Sequence, residues 1–338
     1  MGEKKSFLVG FFALALFTLA ATGICAAATD LARPDAGGAP TRVQVGLYLA
    51  DLYEISGGDQ TFGADVVLKA EWNDPRLAGR WTGLKSMGLD EVWHPRLQLV
   101  NQRGVSATLP QRVEVDPSGR VLYRQRWWGR FTGRMDFRLF PMDRQRFHVQ
   151  VVSLGYPRGE VEMVPSSEAN GGGKAATLSL TDWEVGPARM EIRDYESGVG
   201  MKPLSGVELA WDGQRHFGYH AVQVILPLVM IVLMGCTALW VDPSVVNTRI
   251  SVSVTTMLTL IAYRFALGRL VPNLPYLTRF DYFTLGSTVL VFLMLVVVAW
   301  CAYLFGRDRK PLVDRIDRWA RIGFPVLYAV LCLLVWWR

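Results

Sequence analysis

From about residue 217 to its end, this 338-residue chain is dominated by four nearly continuous apolar stretches, at about 219–241, 246–271, 282–305 and 322–337. Each is long enough to cross a hydrocarbon core of about 30 Å. Backbone polar groups inside lipid must be satisfied within the segment, so stretches of this kind fold as helices. Trp240, Trp300, Trp336 and Trp337 fall near the ends of the stretches, where indole rings favour the membrane interface. The expectation for residues 217–338 is therefore a transmembrane bundle of four helices.

Residues 42–215 read differently. Short segments of alternating apolar and polar residues, such as Val43-Gln44-Val45-Gly46-Leu47, are broken by turn signals such as Gly57-Gly58-Asp59 and Asp116-Pro117-Ser118-Gly119. Many short strands at this spacing predict an antiparallel β-sandwich over 29–216. Asn170-Gly171-Gly172-Gly173 reads as a surface loop.

Residues 1–28 read as an export signal: Lys4 and Lys5 precede an apolar run, and Ala26-Ala27-Ala28 supplies a small-residue cleavage site. The same run also admits reading as a first membrane anchor. Cys25 suggests a lipoprotein, but Ile24 before it fits that processing poorly. The remaining cysteines, Cys236, Cys301 and Cys332, lie in apolar stretches, so no disulfide is expected in the exported domain. With the sandwich exported, Arg307, Arg309, Lys310, Arg315, Arg318 and Arg321 fall in a cytoplasmic loop, as the positive-inside rule requires. The net charge of +6 is not gathered into a nucleic-acid-binding stripe. His94, His148, His216 and His220 have no metal-ligand spacing, and no nucleophile motif appears, so neither an enzyme nor a cofactor is expected.

The second apolar stretch differs from the other three. Residues three and four apart give one face, Asn247, Ser251, Thr255, Leu258, Ala262, Phe265 and Arg269. It is polar at one end, apolar in the middle and charged at the other. Hydroxyls and an amide facing lipid are costly, so this face meets water or protein. Ordinary helix packing through Ser and Thr is one reading; an aqueous path is the other. One helix cannot enclose a path, so the second reading requires several copies in closed cyclic symmetry. Rings of Leu258, Ala262 and Phe265 then form an apolar constriction that closes by dewetting.

The chain resembles the pentameric ligand-gated ion channels, specifically the bacterial members of the Cys-loop receptor superfamily. Thr256-Met257-Leu258-Thr259-Leu260-Ile261-Ala262-Tyr263, leading into Val271-Pro272-Asn273-Leu274-Pro275-Tyr276, resembles the family's pore helix and the loop after it. Ile225-Leu226-Pro227 matches the proline of the first membrane helix. Trp93-His94-Pro95 is similar to a binding-loop segment, and Phe140-Pro141-Met142-Asp143-Arg144-Gln145 to the signature loop without its cysteine pair. The resemblance implies a homopentamer with an immunoglobulin-like extracellular sandwich, set in a bacterial inner membrane. Its implied partners are membrane lipid, inorganic ions and a small-molecule or proton agonist bound between subunits.

By motif position, Asp143 and Arg215 are the charged partners at the domain junction, and Pro272 and Pro275 stiffen the loop that receives the push. Trp72, Trp93, Tyr156 and Tyr195 lie in ligand-facing segments, where an aromatic cage holds a cationic amine by cation–π attraction. The capping segment 197–204 contributes no aromatic residue. Asn247-Thr248-Arg249 carries no carboxylate where cation-selective relatives place one, which leans selectivity toward weak or anionic, with Arg249 facing either the lumen or neighbouring helices. The alternative function is a membrane-anchored ligand-binding sensor that does not conduct.

Overall fold

The computed structural model describes residues 31–167, 172–196, 198, 201–267 and 274–337; the expected export signal lies outside the described residues. Alternation decides the sandwich. In β1 (Thr41–Ser56), Val43, Val45, Leu47 and Leu49 point inward while Arg42 and Gln44 face solvent. β1 pairs antiparallel with β2 (Thr61–Asn73), Val43 opposite Trp72, and β2 with β7 (Arg120–Thr132), Trp72 opposite Val121. β6 (Arg112–Val115) and β3 (Lys85–Gly88) continue this sheet, and β5 (Gln102–Ala107) also joins β7.

The expected antiparallel sheet is modified at one edge. β9 (Val161–Pro165) and β10 (Gly172–Lys174) both pair parallel to β1. Such pairing joins residues more than a hundred positions apart, and local alternation carries no trace of it.

The second sheet contains β4 (Leu97–Leu99), β8 (Arg144–Pro157), β11 (Trp183–Val185), β12 (Arg189–Ile192) and β13 (Leu204–Arg215), all antiparallel. Between the sheets, Phe62 of β2 meets Phe131, Phe147 and Trp211 at ring-centroid distances of 5.7, 5.2 and 5.7 Å. Gly213 of β13 lies so close to the Phe147 ring that a Cβ there would stand 2.9 Å from it, which explains the glycine.

β13 ends at Arg215, and helix begins at Phe217. The first helix, α1, consists of a helical turn Phe217–His220, a π-helical turn Ala221–Ile225 and a regular segment Leu226–Thr237. Pro227 has no N–H to give to the preceding turn, and the backbone widens just before it. The hydroxyl of Tyr263, on the neighbouring helix, donates to the Val224 carbonyl at 2.7 Å.

α2 (Val246–Leu267), α3 (Arg279–Phe305) and α4 (Lys310–Trp336) follow. Among the described residues, these three are long and apolar enough to cross a membrane, while Ala221–Thr237 is apolar but shorter than the expected span. The expected loop at 307–321 is largely helical instead. Val313, Asp317, Ala320, Phe324 and Tyr328 keep one face of α4 inward, a spacing that a search for continuous apolar windows passes over.

His148, on β8, is half-buried beside Glu208, Arg193 and Arg146. Burial pulls its pKa below the ordinary 6.5, the two arginines add to this, and Glu208 opposes it. The unfolded chain therefore binds this proton more readily, so stability is full above 6.5 and falls as pH drops through that value. Thermal unfolding of the full chain in detergent should show a larger acid-side fall in Tm for the wild type than for His148→Gln. Equal slopes would remove His148 from the pH response.

Candidate functional site

α2 divides into two faces. Arg249, Ser253, Thr256, Leu260 and Leu267 are buried against the bundle. Asn247, Ser251, Thr255, Leu258, Ala262 and Phe265 are all exposed, Leu258 at 62% and Phe265 at 78%. Arg269, expected at the end of this face, lies outside the described residues. The buried hydroxyls are satisfied by their own helix: Ser253 donates to the Arg249 carbonyl at 3.0 Å and Thr256 to the Val252 carbonyl at 2.8 Å.

Arg249 faces the neighbouring helices and is only 3% exposed. Its guanidinium donates to both carboxylate oxygens of Asp317 on α4, at 2.7 and 2.9 Å, and to the Ala238 carbonyl at 3.1 Å. This bidentate pairing removes the arginine charge from the exposed face. In the sequence, Asp317 was hidden as one acid among arginines; its helical spacing from Val313 and Ala320 is the signal that finds it.

At the opposite end of the bundle, Asp143 and Arg215 are brought together. Asp143 is wholly buried, accepting from Arg215 Nε at 3.0 Å and from Gln145 Nε2 at 2.8 Å. The guanidinium lies over the Trp183 ring at 4.4 Å and the Phe140 ring at 5.1 Å. The loop that carries Asp143 touches the α2–α3 connection directly. The Phe137 N–H donates to the Tyr276 hydroxyl at 3.0 Å, the Arg279 N–H to the Arg138 carbonyl at 2.9 Å, and the rings of Phe140 and Phe280 stand 6.2 Å apart. Pro272 lies outside the described residues and Pro275 is exposed. The contacts fall on Tyr276, Arg279 and Phe280, which the proline-centred sequence reading did not single out.

The aromatic residues divide as well. Trp72, Trp93 and Tyr156 form a chain inside the sandwich, with ring centroids 6.1 and 5.7 Å apart. The Trp93 indole donates to the Tyr156 hydroxyl at 3.0 Å. Trp72 and Trp93 are core residues of the single chain, at 3% and 1% exposure. Tyr195 stands apart and exposed, its backbone paired with Leu204. Arg96, not anticipated, sits over the Tyr156 ring at 5.6 Å. Beside this chain is a cavity of about 250 Å³ whose lining includes Trp72, His94, Arg96, Tyr123, Gln125 and Trp127. Burial, assisted by Arg96, lowers the His94 pKa below its ordinary value.

A family model described as neurotransmitter-gated ion-channel ligand binding domain matches residues 28–198. Gamma-aminobutyric acid receptor subunit beta-4 of Gallus gallus is 24% identical over 298 residues, which cover 85% of this chain and 61% of the relative. The chain thus spans 61% of the length of that curated relative. The match covers more than half the chain and takes in the whole of the first sheet, the buried Trp93 and the Asp143 loop. The chain belongs to the neurotransmitter-gated ion-channel ligand-binding-domain family.

Proposed function

We propose that the chain is one subunit of a homopentameric ligand-gated ion channel in a bacterial inner membrane, with its sandwich on the extracytoplasmic side and a pore lined by α2. The observation that carries this reading is the exposed α2 face from Asn247 to Phe265. On a helix suited to a membrane it combines unpaired polar groups with a ring-forming apolar segment at Leu258, Ala262 and Phe265. Among the described residues, the hydroxyls of Ser251 and Thr255 have no partner within the chain, as groups facing a hydrated lumen require. The absence of cysteine from residues 29–216 agrees with the bacterial branch.

Agonist binding engages the sandwich, and the Asp143 loop passes the displacement to Tyr276 and Phe280 at the head of α3. Of the candidate binding residues, Tyr156 and Tyr195 are the ones an agonist would reach, with Trp72 and Trp93 packed in the core behind Tyr156. Arg96 above Tyr156 favours an acidic or neutral agonist over a cationic amine, because a second cation over the same ring meets like-charge repulsion. Ion selectivity is weak in this reading, since Arg249 is neutralised by Asp317 and Asp242, in the α1–α2 loop, is exposed.

Purified protein in liposomes should carry agonist-dependent ion flux, and Leu258→Ser should raise basal flux severalfold by wetting the constriction. Correctly assembled protein without flux under any agonist or pH would favour the sensor reading. Asp143→Asn removes the buried charge partner of Arg215 and leaves it only the more exposed Asp182 at 3.7 Å; breaking a buried pair costs about 3–5 kcal/mol. It should abolish agonist-evoked current while agonist binding persists; unchanged currents would remove the pair from coupling. Reversal potentials in a salt gradient should stay near zero, and tracking of the cation equilibrium potential would overturn weak selectivity.

A further inference from the structure

The outward face of the second sheet holds a cavity that neither the pore nor the agonist segments use. It has a volume of about 300 Å³, and its lining includes Arg146, Pro187, Arg189, Glu191, Ala210 and Asp212. Strand register accounts for it. On β13, Glu208, Ala210 and Asp212 alternate onto the same face. Ala210 lies opposite Arg189 of β12 on one side and His148 of β8 on the other, so the smallest side chain of the row forms a floor between long neighbours. One end is bounded by the turn at Pro187, where the Gly186 N–H donates to the Asp212 carbonyl at 2.8 Å.

The charges around that floor do not pair as the register suggests. Asp212 lies directly opposite Arg146, and residues so placed hold their Cβ atoms about 5 Å apart. Yet the Arg146 guanidinium turns along the sheet, reaching Glu191 at 2.9 Å and the buried Glu208 at 3.6 Å. Arg193 also meets Glu208, at 2.9 Å. Asp212 is thereby left exposed without a cation, and Arg189, diagonal to it across β12 and β13, is left exposed without an anion. Among the described residues, neither side chain has an ion-pair or hydrogen-bond partner. Diagonal neighbours on antiparallel strands stand roughly 7–8 Å apart, a gap that one small molecule bridges.

The balance of charge selects the occupant. Arg146 and Arg189 offset Glu191 and Asp212, so the lining carries no net charge. A simple anion drawn to Arg189 meets Asp212 and Glu191 at close range, and a simple cation drawn to Asp212 meets Arg146 and Arg189. Like charges repel at such distances, so each is rejected by the group it does not match. A zwitterion satisfies both, because its carboxylate fits the planar donor fork of an arginine and its ammonium fits a carboxylate. We propose that this cavity is a binding site for a small zwitterion of the α-amino acid type, its carboxylate at Arg189, its ammonium at Asp212 and the carbon between them over Ala210. The site is separate from the aromatic candidates. Tyr156 lies ten residues beyond Arg146 on β8, roughly 33 Å along an extended strand.

The test reads binding, needs no ion flux and so is independent of the channel reading. Full-length protein in deuterated detergent is titrated with glycine and followed by saturation-transfer NMR on the ligand's methylene protons. Acetate and methylammonium, each carrying one of the two charges, are titrated alongside. Glycine should bind saturably and about tenfold more tightly than either single-charge probe, as expected for one charge-assisted contact. Arg189→Gln and Asp212→Asn, both at exposed positions, should each weaken glycine binding by about the same tenfold. Ala210→Leu, which fills the floor without changing charge, should remove that binding and serves as the blank for glycine held elsewhere. Glycine binding that is the same in all three variants as in the wild type would overturn the proposal. So would acetate binding as tightly as glycine, which would make the cavity an anion site, or the absence of any saturable signal.

Discussion

Asp143 has no exposed surface, and an ionised carboxylate cannot stay in such a place without close compensation. Its partners come from separate parts of the chain. Gln145 is the second residue of β8, Arg215 ends β13, and the aromatic faces that sandwich the guanidinium belong to Trp183 and Phe140. If the β8–β13 register slipped by one residue, Arg215 would turn to the other face and leave the charge buried alone. Since Phe217 opens α1 two residues after Arg215, the first helix takes its position from this pair. The same loop is held from the membrane side through Tyr276, Arg279 and Phe280. One ion pair thus sets where the sandwich stands relative to the bundle.

A second buried pair, Arg249–Asp317, does a comparable job at the far end. It joins the foot of α2 to α4 across a bundle whose other contacts there are largely apolar and tolerate sliding. A bidentate guanidinium–carboxylate contact does not tolerate sliding, because both oxygens must be met together. Arg249, which the sequence leaves open between lumen and neighbouring helices, is thereby a fastener between helices.

Much of this was legible in the residues. Strict alternation in β1 gave the sandwich, long apolar stretches gave the bundle, and the motif around Asp143 gave its partner. Trp72 could also have been read correctly from alternation alone, since it shares a face with Val66, Leu68 and Ala70, and that face is the core. Arg249 stands at helical spacing from Ser253, Thr256 and Leu260, again a legible inward face. What local pattern cannot carry is pairing at a distance. The parallel edge of β1, the seat of Asp317 and the meeting of Phe137 with Tyr276 depend on chain closure over tens to hundreds of residues. Helix α4 was shortened for a related reason: its first turns are amphipathic, and their polar face breaks any continuous apolar window.

The two faces of α2 carry the same residue types to different ends. Ser253 and Thr256 are buried and donate to carbonyls of their own helix, so they pack as compact, nearly apolar groups. Ser251 and Thr255 are exposed and have no partner among the described residues. A hydroxyl moved from water into hydrocarbon without a partner costs about 4–8 kcal/mol at the upper limit, so a lipid-facing Asn247, Ser251 and Thr255 would be heavily penalised. A second protein surface would satisfy them, but Leu258 and Phe265 extend from the same face, and both are large and apolar. A face that needs water at one end and excludes it one turn later suits neither lipid nor a dry interface. It suits a channel of water that narrows at Leu258, which is the geometry a ring of these helices would enclose.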